Sequence, residues 1–148
     1  MTKREKAAGW VYGILIGATL LFIWGHSLTP ASQSQAESDK VKWLLSLVLG
    51  DGAVTAFLLE NIRKVAHFGE FALLGGELAL AGRRLRLPRA WLYGLGVAAV
   101  DEVLQLFAPG RAPMVADVLL DYSGYLCGFG LIALLAAGLA RLCRKVKK

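Results

Sequence analysis

Apolar residues along this chain gather into four long blocks: Trp10 to about Trp24, Val65 to Ala81, Ala90 to Phe107, and Val118 to Ala140. Each approaches the ~20 residues that a helix needs to cross the hydrocarbon of a bilayer, once flanking polar residues are allowed into the interface. The pattern predicts spans at about 8–27, 60–82, 89–108 and 115–140. The expected fold is therefore all-α, a polytopic four-transmembrane-helix bundle forming one domain over residues 1–148. Between the first two blocks the chain turns polar at Ser32, Gln33, Ser34, Gln35 and Ser38. Val41, Leu44, Leu45 and Val48 then recur at i, i+3, i+4 and i+7, one face of a helix. With Trp43 beside them, they predict a short helix over about 37–49 lying in the outer headgroup layer. Ser34 and Glu37 have capping-box spacing, and Gly50-Asp51-Gly52 is the expected terminator. A further short helical stretch, 53–60, should lead into the second span.

Composition supports lipid as the solvent. Of 148 residues 56% are hydrophobic, and the mean hydropathy is +0.53, above the usual range for a soluble domain. The net charge of +6 does not point to nucleic acid, because the bases fall in short blocks between apolar segments. Most lie in three blocks: Lys3, Arg4 and Lys6; Arg83, Arg84, Arg86 and Arg89; and Arg141, Arg144, Lys145, Lys147 and Lys148. Four spans put all three blocks on one side. The positive-inside rule makes that side, and both termini, cytoplasmic. The first block is expected to be an uncleaved anchor rather than a signal peptide, since no small-x-small site follows it. Cys127 and Cys143 would stand about 24 Å apart on one helix, too far for a disulfide; Cys127 is expected to be a small packing residue.

Polar residues interrupt the ends of the last three blocks. Arg63, His67 and Glu70 share one helical face, with Lys64 beside them. Asp101, Glu102 and Gln105 close the third block, and Asp117 and Asp121, four apart, open the fourth. The stiff loop Ala108-Pro109-Gly110-Arg111-Ala112-Pro113 would carry Arg111 back over the group. In the predicted topology all of these lie at the outer end of the bundle, and they should face one another because lipid would leave them unpaired. Three bases against five acids leave two negative charges in excess with His67 neutral, so the cluster must protonate a carboxylate, charge the histidine or hold a cation. Gly124 and Gly128 are expected to pack closely against another helix. Glu77 could relay protons or pair with a neighbouring helix or Arg83.

Several functions fit such a cluster. In an enzyme acting on a lipid-linked headgroup, His67 or Glu70 would be the general base and Glu102 or Asp101 its partner. Arg63, Lys64 and Arg111 would clamp the anion, with Gln105, Asp117 and Asp121 completing the binding site. No Ser or Cys stands among these polar positions to serve as a nucleophile. A binding protein would use the same cup without chemistry. A small proton-coupled transporter would use Glu77. A metal could sit at His67 and Glu70 with inward carboxylates and His26, although the pattern assigns no metal ligand set and no cofactor. Ion pairs that only hold the helices together are the plainest alternative.

The segments Ile62-Arg63-Lys64-Val65-Ala66-His67-Phe68-Gly69-Glu70-Phe71-Ala72-Leu73-Leu74-Gly75 and Asp101-Glu102-Val103-Leu104-Gln105-Leu106-Phe107, followed by Gly110-Arg111 and Asp117 to Gly124, resemble the two signatures of the VanZ-like membrane proteins. Phe71 and Asp121 depart from the Tyr and Asn common there, and Ser27-Leu28-Thr29-Pro30 matches the family's serine-rich segment only loosely. The resemblance implies a multi-pass protein of the bacterial cytoplasmic membrane. It also implies a link to teicoplanin resistance, with the bilayer and an anionic or lipid-linked headgroup as partners and no nucleic acid. Its polar positions would be Arg63, Lys64, His67, Glu70, Asp101, Glu102, Gln105, Arg111 and Asp117.

Overall fold

A computed structural model describes residues 3–50 and 52–146, and among these it is all helical. The helices are α1 Lys3–Ser27, α2 Ala31–Leu49, α3 Ala53–Glu60, α4 Ile62–Leu85, α5 Tyr93–Gln105 and α6 Val115–Val146, with a 3-10 turn over Ala90–Leu92 leading into α5. Asp51 of the predicted terminator, and Lys147 and Lys148 of the basic tail, lie outside the described residues.

The center of the bundle is α4, which packs along α6 on one side and against α1 on the other, while α5 lies on α6 and α1. Glycines set the α4–α6 distance. A Cβ on Gly128 would run into the carbonyl of Ala72, one on Gly124 into that of Phe68, and one on Gly75 into that of Tyr125. Such small-residue contacts let two helix backbones touch where no hydrophobic effect drives them together. Gly94 does the same for α5, making room for the ring of Tyr125. The Tyr125 hydroxyl donates to the carbonyl of Ala90. Around these contacts Ile23, Phe71, Leu74, Leu78, Ala98 and Tyr125 form a small core.

The outside of the bundle is apolar. Residues 6–27 of α1 and 115–144 of α6 form two helices long and apolar enough to cross a membrane, and almost none of that surface is buried. Trp10 and Leu21 are each 75% exposed and Leu134 is 74% exposed. A helix in the core of a soluble protein would bury such residues, and contiguous exposed apolar surface of this extent suits lipid rather than water.

Several predicted elements shift. Only the first and last predicted spans qualify on length and apolarity. The segment predicted as a span over 89–108 is a 3-10 turn followed by a 13-residue helix, which rises about 20 Å. The surface helix predicted over 37–49 begins at Ala31, with Pro30 at its N-cap. Ser34 is therefore inside α2 rather than capping it, and its carbonyl accepts the Ser38 hydroxyl at 2.8 Å. Glu37 pairs sideways with Gln33 along the same helix. A single residue, Asn61, separates α3 from α4. Cys127 and Cys143 are both exposed, so Cys127 does not pack inside the bundle.

Candidate functional site

One end of the bundle gathers the last turn of α1, the first turns of α4 and α6, and the last turn of α5. Side chains there are buried in spite of their charge: Asp101, Glu102, Gln105, Asp121 and Ser27 are all less than 9% exposed. Burying ionised groups is costly unless each finds partners, and most do. The Ser27 hydroxyl lies 2.7 and 2.8 Å from the two oxygens of Asp101. Gln105 donates its amide to Asp101 at 3.2 Å and to Glu102 at 3.3 Å. The second Glu102 oxygen accepts the backbone N–H of Met114 at 2.8 Å, an unpaired donor just before α6. Glu70 accepts from or donates to His26 Nδ1 at 3.0 Å, according to their protonation.

Arg111 reaches from the α5–α6 loop to α1. Its Nε donates to the carbonyl of Thr29 (3.0 Å) and an Nη to that of His26 (3.1 Å). The N–H of Ala31 completes the tie by donating to the carbonyl of Pro109 at 3.0 Å. Burial and the neighbouring Arg63 charge push the pKa of Arg111 down from its ordinary value, with Asp101 and Glu102 opposing them; a guanidinium remains charged throughout the biological range.

Asp121 is the exception. It is 1% exposed, and neither of its oxygens has a hydrogen-bond partner among the described residues. Its Oδ1 stands 3.8 Å from His67 Nδ1, beyond hydrogen-bond length. One ligating atom from each of His67, Asp101 and Asp121 lies within 4.8 Å of the other two.

A cavity of about 410 Å³ opens above this floor, lined by Arg63, Lys64, His67, Gln105, Arg111, Asp117 and Asp121 among others. Arg63 is exposed at its mouth and donates to Gln35 of α2 at 3.3 Å. A second cavity of about 310 Å³ lies toward α2, where Val41, Ile62, Val65 and Ala66 join Glu70 and His26. Arg63, His67 and Arg111 line both.

The structure brings the ten site residues named from the sequence, Glu77 not among them, to one end of the bundle, but it divides them differently. His67 and Glu70, placed on one helical face by their spacing, part company: His67 turns to Asp121 and Asp101, while Glu70 turns to His26 of α1. Arg111 braces two α1 carbonyls as well as lining the cavity. Ser27 enters the buried network, a place its loose motif match gave little reason to expect. Farther along α4, Glu77 pairs with a neighbouring helix, accepting the Thr19 hydroxyl of α1 at 3.0 Å, rather than with Arg83.

Two exposed apolar helices around a buried polar end suggest a helical membrane protein with a charged pocket. The chain belongs to the VanZ/LLP1 family, whose model matches residues 10–136. No curated protein and no solved structure matches it.

Proposed function

We propose that this chain is a four-span protein of the bacterial cytoplasmic membrane, with both termini cytoplasmic. Its charged cavity faces the outer leaflet and takes the anionic headgroup of a lipid-linked or envelope-precursor molecule. The physiological outcome is protection against lipoglycopeptides such as teicoplanin. The observation that carries this reading is the cavity of about 410 Å³ with Arg63, Lys64 and Arg111 along its walls, set within an apolar shell. Guanidinium and ammonium groups of that kind hold phosphate or carboxylate. The adjoining cavity, with its Val41, Ile62 and Val65 wall, offers room for an apolar part of the same molecule.

On this reading His67, which lines both cavities, is the group placed to exchange a proton with a bound headgroup. Glu70 tunes the site through His26, and Asp101 and Glu102 hold its floor through Ser27, Gln105 and Met114. Asp117 stands at the rim. A second reading, binding without chemistry, draws on the fact that both Asp101 and Glu102 are already engaged by protein donors.

Teicoplanin susceptibility of cells expressing the parent protein, His67→Ala, Glu70→Gln and Glu102→Gln, with membrane abundance measured alongside, tests the proposal. Protection by the parent that is lost at normal abundance in His67→Ala and Glu70→Gln supports a chemical role for the cluster. Protection retained in all three variants leaves binding alone. A parent that protects no better than an empty vector removes the resistance role.

A further inference from the structure

His67, Asp101 and Asp121 converge from three different helices, α4, α5 and α6, onto one point beneath the cavity floor. Two of them are carboxylates with essentially no exposure. Asp121 is the telling member. A 1%-exposed carboxyl with both oxygens unpartnered is an arrangement proteins avoid, and the histidine nearest to it stands just too far away to satisfy it.

We infer that His67, Asp101 and Asp121 bind a divalent transition-metal cation, Zn²⁺ or Mn²⁺, at the base of the cavity. The donor set is one imidazole and two carboxylates, which leaves a coordination position toward the cavity. Zinc sites with three protein ligands and an open fourth position have this form. The imidazole favours a transition metal over Mg²⁺ or Ca²⁺, which prefer oxygen alone. Neighbouring ligand atoms around a four-coordinate zinc stand about 3.3 Å apart. The observed separations, 3.8 Å for His67–Asp121 and no more than 4.8 Å for the set, therefore close with small side-chain rotations.

The surroundings agree. Ser27, with one hydroxyl proton shared between the two oxygens, and Gln105 donate to Asp101, which takes up about two of the roughly four hydrogen bonds that a carboxylate can accept. Its Oδ1 keeps a lone pair, and the donors fix its orientation as partners of metal ligands commonly do. Glu70, engaged with His26, stays outside the set. This inference rests on the cluster alone, so it does not depend on the headgroup reading; with a cation bound, His67 is its ligand and no longer the proton-exchanging group of that reading.

The test uses the full-length protein in detergent with Cys127→Ser and Cys143→Ser, which removes the exposed thiols as stray ligands. After chelation and reloading with Zn²⁺ or Mn²⁺, metal content, affinity and melting temperature are measured for this parent and for His67→Ala and the isosteric Asp121→Asn. One cation per chain is expected, with a higher melting temperature on loading. Each variant should bind at least about 10-fold more weakly and lose the thermal shift. Spin-echo spectra of the Mn²⁺-loaded parent should show an imidazole nitrogen coupled to the metal, and should still show it in His26→Gln. That readout needs no change at the site itself. A parent that takes up no stoichiometric metal, variants that bind as tightly as the parent, or a spectrum without the nitrogen coupling would each overturn the assignment.

Discussion

Ser27 shows how much one small side chain can carry in an apolar helix. Its hydroxyl faces both oxygens of Asp101 in a place without exposure. Removing a donor from a buried acceptor costs the desolvation that the acceptor no longer recovers, about 1–3 kcal/mol. Ser27→Ala should therefore destabilise the protein by about that amount in a detergent melt, and Ser27→Thr, which keeps the hydroxyl, by less. Equal stability of the alanine variant and the parent would mean that Asp101 draws its support from elsewhere. The sequence made the acids and bases of this end easy to name, because ionisable residues beside long apolar runs stand out. It could not say which would meet. Arg63, His67 and Glu70 share a face by spacing, yet a turn of helix sends His67 toward α6 and Glu70 toward α1. Ser27 carries no charge and so gave no signal of its own.

At the scale of elements, the α4–α6 contact depends on missing side chains. A methyl at Gly128 would overlap the Ala72 carbonyl, a rigid neighbour, whereas Gly130 two residues later has nothing within 4 Å of where its Cβ would stand. Overpacking of a tight contact costs about 1–3 kcal/mol and sometimes more, while a change in open space stays within about 0.5 kcal/mol. Gly128→Ala should thus lower thermal stability and Gly130→Ala should leave it nearly unchanged; similar losses from both would argue against the close helix contact. This pairing was half legible. The Gly124 and Gly128 spacing marks a packing face, but the partner, the Phe68–Ala72 backbone of α4, follows only from three dimensions. The start of α2 was hidden for another reason. Polar residues at 31–36 look like loop when apolar periodicity is the only guide, and a helix lying at a surface needs no such periodicity in its first turns.

For the whole molecule, the decisive question is how many times the chain crosses the bilayer. Four crossings place the α4–α5 turn, with Arg86 and Arg89 in left-handed backbone conformation, on the cytoplasmic side. Two crossings, by α1 and α6 alone, would leave it outside. In a background lacking Cys127 and Cys143, Pro88→Cys should resist a membrane-impermeant thiol reagent in intact cells, and Gln33→Cys should react. Labelling of both positions would rule out the four-span arrangement. The tie between Arg111 and the carbonyls of His26 and Thr29 joins residues 85 and 82 positions apart, and this gives assembly an order in time. A ribosome makes the acceptors early and the arginine late, so this tie to the first helix waits through the synthesis of the four helices that follow, α2 to α5. The cavity is complete only when the last helix, which carries Asp117 and Asp121, has been made, and a chain halted before Arg111 would hold Arg63, His67 and Asp101 without the acids they face or the arginine that ties the loop to the first helix.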